Sequence, residues 1–231
     1  MRFSILAVTA FAASGTAAAA AAVTYCRSPS SEYQHHKEAE GRDDKKYPPC
    51  SFEASIPCLC PPGTQYLEAA TTGIIGAHVR DVTAFISDFY NISWQLGAVI
   101  YKTQGPDNQV GSIRSVRYQL VPPGMEDVDE RLVSHKVFPD GSSVYSFEQV
   151  QPSIPYPDGS GVFAGYWGTV SAIGQTNDET IVTWTNWACE TANLRNFAAF
   201  HEISFQNATD ILTAEGKVKG QNVAPCSAKN F

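Results

Sequence analysis

Between residues 110 and 132 the chain reads Val110-Gly111-Ser112-Ile113-Arg114-Ser115-Val116-Arg117-Tyr118, then a Pro122-Pro123-Gly124 turn, then Val128-Asp129-Glu130-Arg131-Leu132. On a period of two, Arg114 shares a strand face with Val116, Tyr118 and Leu120, and Glu130 shares one with Val128 and Leu132. Both charges therefore lie on apolar faces. If Pro122-Pro123-Gly124 closes a hairpin, Arg114 falls opposite or diagonal to Glu130, roughly 5 Å away between Cβ atoms. Such a pair is either a structural ion pair that fixes the hairpin or the polar end of a ligand cavity. Buried ion pairs are weak evidence of stabilisation. In a partly dry cavity, by contrast, the pair's pKa values shift, and a carboxylate held against an Arg can act as a general acid or base.

Other side chains of the right chemistry are few. His201 offers a second acid/base, or else a satisfied core histidine. Tyr145 and Tyr166 either orient a substrate through their hydroxyls or fill the core with hydrogen-bonded tips. Trp184 reads as wall. Gly159-Ser160-Gly161 lacks the spacing of a nucleophile elbow, and there is no phosphate-cradling glycine loop.

A succession of short strands must position these residues. Gln65 to Ile75 reads as a strand, and Asp81 to Tyr90 as a short helix with Val82, Phe85, Ile86 and Phe89 on one face. Strands follow at Ala98 to Thr103, Ser112 to Leu120, Asp127 to His135, Ser142 to Val150, Tyr166 to Ile173 and Thr180 to Ala188, separated by Gly/Pro/Asn/Asp turns. From Asn193 to Glu215 the stripe Phe197, Phe200, His201, Ser204, Phe205, Ala208, Ile211, Leu212 predicts a long amphipathic helix. The pattern implies an α+β fold, a curved antiparallel sheet wrapped around a long C-terminal helix.

Register follows from the turns. Folding at Asp140-Gly141 brings Tyr145, Phe147 and Gln149 to the face of Glu130, Leu132 and Ser134. Folding at Thr176 sets Tyr166, Gly168 and Val170 against Val182, Trp184 and Asn186. The concave face then presents Arg114, Val116, Tyr118, Val128, Glu130, Tyr145, Phe147, Tyr166 and Trp184, with Phe197, His201 and Phe205 from the helix. Large aromatics with a few polar tips are the lining of a small-molecule pocket.

The ends of the chain bound its class. Met1-Arg2, an apolar run from Phe3 to Gly15 and an alanine tract to Ala22 have the order of a secretory signal peptide, so residues 1–22 are expected to be removed and the product secreted. No other segment has the continuous apolar length of a membrane span. Losing Arg2 takes the net charge from −7 to −8 (−7 minus 1), and no basic stripe remains to meet nucleic acid. Asn91-Ile92-Ser93 and Asn207-Ala208-Thr209 are N-glycosylation sequons, the second within the long helix.

The six cysteines are Cys26, Cys50, Cys58, Cys60, Cys189 and Cys226. An even number on this route favours disulfides over a metal site or a catalytic thiol. His35-His36 beside them would suit zinc, but the compartment argues for a solvated polar segment and no metal. Cys58 and Cys60 are too close in sequence for an easy mutual bridge, so each is expected to reach a different partner, and at least one bridge should tie the arm to the body. Residues 23–63, polar and Pro-rich, read as this disulfide-stapled arm, 64–218 as one domain, and 219–231 as a C-terminal tail. The sequence leaves the oligomeric state open.

The run from Asp81-Val82 through Phe89 and Trp94, then Gly111-Ser112-Ile113-Arg114, Glu130-Arg131-Leu132, Val144-Tyr145-Ser146-Phe147, Tyr166 and Val182-Thr183-Trp184, resembles the polyketide cyclase/START-like helix-grip superfamily. It is nearest the branch that holds lachrymatory factor synthase, the abscisic acid receptors and the birch pollen allergen type. The likeness covers about residues 65 to 217. It implies a deep apolar cavity between sheet and helix. In one part of that branch the residues matching Arg114 and Glu130 serve proton-shuttling rearrangement, and in another the positions of Glu130 and Tyr166 hold ligand. A loop matching Val121 to Met125 acts there as a gate, but this chain has Val-Pro-Pro-Gly-Met, and its second mouth loop is a long Pro/Gly-rich segment, Gln151 to Ala164.

Two functions are therefore expected. The first is a cofactor-free cyclase or isomerase of a polyketide-like or other small hydrophobic metabolite, with Glu130 moving a proton, Arg114 stabilising an oxyanion or enolate and Tyr166 assisting. The second is a secreted carrier of a lipid, sterol or similar ligand, whose polar head the same pair anchors. Neither needs a cofactor, a nucleic acid or stable insertion in a membrane.

Overall fold

The computed structural model describes residues 47–54, 56–118, 126–156, 159–191 and 196–230. The expected leader, Cys26 and the Val121 to Met125 segment lie outside them. In chain order the elements are β1 (Gln65–Ile75), α1 (Val79–Ile86), β2 (Ala98–Gln104), β3 (Ile113–Tyr118), β4 (Glu126–Val137), β5 (Ser143–Gln149), β6 (Ile154–Pro155), β7 (Val162–Thr176), β8 (Glu179–Glu190), α2 (Phe197–Ala214) and β9 (Val223–Asn230). Among the described residues one antiparallel sheet runs β2-β3-β4-β5-β7-β8-β1-β9, with β6 against β7. The α+β architecture expected from the periodicities is the one observed.

Alternation along the strands sets the inner face. β1 alternates half-buried and buried residues along most of its length, and the inward positions of β4, β5, β7 and β8 meet α1 and α2 in one core that includes Trp94, Leu132, Phe147, Val170, Trp184 and Phe205. α2 begins at Asn196, whose side chain accepts from Ala199 N, and lies along β1, β8 and β9. α1 is capped by His78 and ends at Ile86, one turn before the end expected from its apolar stripe. Asp88 terminates it: its Oδ1 accepts from Tyr90 N and Asn91 N, a local bond that competes with helix. Phe89 stays buried from the turn.

Three features of the sheet differ from the period-two reading. A bulge between Leu132 and Ser134 pairs Ser134 with Ser146 and His135 with Tyr145, so His135, not Ser134, continues the inner face beyond Leu132. One extra residue in a strand reverses parity, and nothing in the local sequence marks it. The β7–β8 hairpin keeps the expected faces but slides by two residues along β8, placing Tyr166 opposite Ala188 and Gly168 opposite Asn186. Finally, the expected tail is strand β9, which pairs with β1 from Val223 to Asn230. Its sequence, Val-Ala-Pro-Cys-Ser-Ala-Lys-Asn, has too few apolar residues to show a period, and its pairing with β1 makes it an edge strand, where Pro is tolerated.

The arm is stapled as expected. Cys58 bonds Cys50 and Cys60 bonds Cys189 on β8, so the two close cysteines do take separate partners. Cys226 is also disulfide-bonded. Phe52 stacks on Trp187, 6.5 Å between centroids, and Cys50 N and Leu59 N make backbone bonds within the arm. Cys60–Cys189 spans a sequence separation of 129, and opening a loop of that size removes about 4–5 kcal/mol of chain-entropy stabilisation. We expect mild reduction to release the arm from the sheet while the strands persist, because the core residues of the sheet and α2 lie elsewhere. Limited proteolysis checks this: a reduced sample that loses all protected fragments, instead of losing only residues up to about 60, would refute it.

Candidate functional site

β3 and β4 pair so that Arg114 faces Glu130 directly. Both side chains have 0% exposure, and Arg114 Nε donates to Glu130 Oε2 at 2.7 Å. The remaining contacts complete a buried network. Arg114 Nη1 donates to the Phe89 carbonyl at 2.7 Å, and Tyr118 Oη donates to Glu130 Oε1 at 2.6 Å. The guanidinium carbon lies 4.3 Å from the Phe89 ring centroid and 5.2 Å from that of Phe147. The hairpin thus supplies the pair, and the turn after α1 supplies a carbonyl and a ring that hold the cation.

Burial works against the Arg114 charge, but the Glu130 carboxylate, Tyr145 and Tyr118 together raise its pKa above the usual arginine value. Burial first, and the Glu130 charge second, push Tyr118 and Tyr166 well above the ordinary phenol range. Tyr145 is pushed up to about 12 by burial, an effect that the nearby Arg114 charge opposes. All three phenols are therefore neutral hydrogen-bond donors near neutrality. Arg114 Nη2 and Tyr145 Oη are buried without a hydrogen-bond partner among the described residues. Since a buried unsatisfied donor costs about 1–3 kcal/mol, two of them beside a charged pair leave hydrogen-bonding capacity open at this point of the interior.

The structure brings the sequence-derived candidates together. Val116, Tyr118, Val128, Tyr145, Phe147, Tyr166, Trp184, Phe197, His201 and Phe205 are all buried. Tyr166 stacks on Phe197 and tilts against Phe147, 5.7 and 5.5 Å between centroids. Phe200, on the predicted stripe but not among the candidates, meets both Tyr118 and Trp184 edge-on at 5.6 Å and so joins the two aromatic groups. His201 stacks on Trp184 at 4.1 Å, and both its nitrogens are engaged, Nδ1 with Thr71 Oγ1 and Nε2 with Asn186 Nδ2. Burial lowers its pKa to about 3, so of its two expected roles the geometry matches the satisfied core histidine.

Some polar residues of the interior were not singled out from sequence. Asn186 was on the inner face by register, but an Asn in a strand carries no signal of its own. Glu190, fully buried, accepts the Tyr156 hydroxyl at 2.6 Å; the expected strand stopped at Ala188, two residues short. Gly168 is needed between these groups, because a Cβ there would stand 2.5 Å from Phe147 Cζ and 2.6 Å from Asn186 Oδ1. The two sequons also differ. Asn207 Nδ2, the atom a glycan would take, donates to the carbonyls of Ser93 and Trp94, and Thr209 is buried. Asn91 instead uses its oxygen, accepting from Ser93 N and Oγ.

A START-domain family model matches residues 66–230. No curated protein matches the chain. Similar solved structures include an uncharacterized protein from Bacillus thuringiensis, at 18% identity over 63% of this chain and 98% of that one, with a TM-score of 0.45. Norcoclaurine synthase from Thalictrum flavum, in complex with dopamine and hydroxybenzaldehyde, is 15% identical over 68% of this chain and 91% of its own, with a TM-score of 0.43. A Thermobifida fusca protein solved by NMR is 15% identical over 64% and 82% of the two chains, with a TM-score of 0.40.

Proposed function

This chain belongs to the START-domain family, and we propose that it takes a small hydrophobic molecule between sheet and α2 and acts on it as a cofactor-independent cyclase or isomerase. The observation that carries this reading is the fully buried Arg114–Glu130 pair with the unpaired Nη2 and the Tyr145 hydroxyl beside it. Glu130 is the general base or acid that moves a proton on the substrate, Arg114 stabilises the developing oxyanion or enolate, and Tyr166 donates a hydrogen bond. Val116, Tyr118, Val128, Tyr145, Phe147, Trp184, Phe197, His201 and Phe205 surround the folded substrate and exclude water. The chain uses its own side chains alone for these steps.

A carrier of the same class of molecule is the second reading, and one observation favours it. His201 is held on both nitrogens and is neutral down to about pH 3, so it supplies no second acid or base. In either reading the disulfides fit an oxidising compartment, and we place the protein in the secretory pathway or outside the cell. Among the described residues no helix is long and apolar enough to cross a membrane.

Both readings require an interior that admits a small molecule. Native mass spectrometry of the oxidised protein from its own secretion medium is expected to show a co-purifying small molecule that Arg114→Leu no longer retains. A bare mass in every preparation, with no uptake from a hydrophobic metabolite extract, would refute both.

A further inference from the structure

A chain of hydrogen bonds from α2 to β7 fixes a group that the proposed chemistry leaves unused. Ser227 Oγ donates to the Ala198 carbonyl at 3.3 Å. Its only proton is then committed, so Thr71 Oγ1, 2.7 Å away, must donate to Ser227. That commits the Thr71 proton as well, and His201 Nδ1, 3.1 Å from Thr71 Oγ1, must carry a hydrogen and donate it. His201 is neutral, so its Nε2 is a bare acceptor, and Asn186 turns its NH2 toward it at 2.9 Å. The second Asn186 proton goes to Tyr166 Oη at 3.1 Å. Each step follows because a hydroxyl has one proton and a neutral imidazole one N–H.

The polarity so propagated leaves two groups with defined sense. Asn186 Oδ1 is a buried acceptor without a partner among the described residues. Tyr166 Oη, having accepted from Asn186, keeps its own proton free to donate. Oδ1 and Nδ2 belong to one amide, so the acceptor and this donor are neighbours. Gly168, cross-strand from Asn186, is the residue whose missing Cβ lets Oδ1 keep its place. Acceptor beside donor is complementary to a single group that both gives and takes a hydrogen bond.

We propose that Asn186 and Tyr166 form a subsite for a neutral hydroxyl on the ligand, Asn186 Oδ1 accepting its proton and Tyr166 donating to its oxygen, so that Asn186 selects alcohols over the corresponding ketones. This rests on the ligand-binding reading above and adds the ligand's class: an apolar skeleton with a free hydroxyl at the end nearer α2. A ketone can take the Tyr166 hydrogen bond but leaves Oδ1 unsatisfied, whereas sites built around such a group reject analogues that lack its partner.

Two measurements on the full-length oxidised protein test it. In 15N-histidine spectra, His201 is recognised by its constancy between pH 5 and 8, and its Nδ1 is expected to be protonated and Nε2 bare. Protonation on Nε2 reverses the amide and overturns the proposal without any ligand. The second measurement titrates the matched pairs borneol with camphor and androsterone with 5α-androstane-3,17-dione, read by tryptophan fluorescence. Each bound alcohol is expected to bind roughly tenfold more tightly than its ketone, and Asn186→Ala to abolish that preference. Equal or tighter ketone binding by the unsubstituted protein overturns the hydroxyl subsite alone. Failure of all four probes to bind overturns the ligand-binding reading and the subsite with it. If Asn186→Ala does not fold, the tautomer and the unsubstituted protein's preference still decide.

Discussion

Arg114→Met is expected to lower the stability of the fold by about 3–5 kcal/mol, the range for removing one partner of a buried ion pair. The reason lies in what remains. Glu130 would be left at 0% exposure with Tyr118 as its hydrogen-bond donor, and the Phe89 carbonyl would lose the Nη1 bond. Methionine is chosen because it refills the space between the Phe89 and Phe147 rings without branching, which limits the cavity contribution. The double variant Arg114→Met/Glu130→Leu separates charge from shape. Replacing both partners removes the stranded carboxylate and leaves the Tyr118 hydroxyl short of an acceptor, so it is expected to recover most of the loss, to within about 1–2 kcal/mol of the parent. Urea midpoints with unchanged m-values measure both. A single variant within about 1 kcal/mol of the parent would mean that the pair is not the buried, mutually dependent unit described here.

That pair was legible because two independent periodicities met at one turn. Arg114 and Glu130 each lie among Val and Leu at intervals of two, and a sequence reader needs only the direction of the faces, not the details of the turn. Indeed, the turn itself is outside the described residues, and the pairing Arg114↔Glu130 holds regardless. The aromatic lining was legible for the same reason, since Tyr145, Phe147, Tyr166 and Trp184 are spaced evenly on strands whose faces the Gly and Asp turns set.

What escaped the sequence reading depends on contacts between distant segments. Ser134 lost its inward place to a bulge, which changes parity without changing composition. Strand β9 carries Ser227, and without it the chain of bonds through Thr71 and His201 to Asn186 has no end. Its residues are short, polar or proline, so only the free edge of β1 gives them a partner. His201 illustrates the limit most clearly: its position on the apolar stripe was plain, but whether it titrates is settled by Thr71, Asn186 and Trp184, which lie 130, 15 and 17 residues away in sequence. Spacing identifies a face; protonation is a property of the neighbours across it.

Glu130→Gln is the substitution that separates an enzyme from a carrier. The amide keeps the shape of the side chain: its one oxygen can still accept from Arg114 Nε at the Oε2 position, while its NH2 takes the Oε1 position and donates to a Tyr118 hydroxyl that turns to accept, and the group able to carry a proton to or from a substrate is removed. If Glu130 is the general acid or base, turnover is expected to fall by 10²-fold or more, the scale of such catalysis, while substrate still binds. A carrier has no turnover to lose, and the change should appear in affinity alone, by roughly 1–3 kcal/mol if a polar head is left imperfectly paired. The split between kcat and KM therefore carries the decision. Arg114→Lys is the companion variant. An ammonium keeps the charge, but it cannot bridge Glu130, the Phe89 carbonyl and a ligand oxygen with the planar fork that occupies Nε and Nη1 and leaves Nη2 free. An enzyme should respond to it in kcat, through a less stabilised oxyanion, even where binding is retained. Should both variants bind the same molecules with the parent's affinity and return the parent's products at the parent's rate, the pair does no chemistry, and Arg114 and Glu130 serve only to fix β3 against β4.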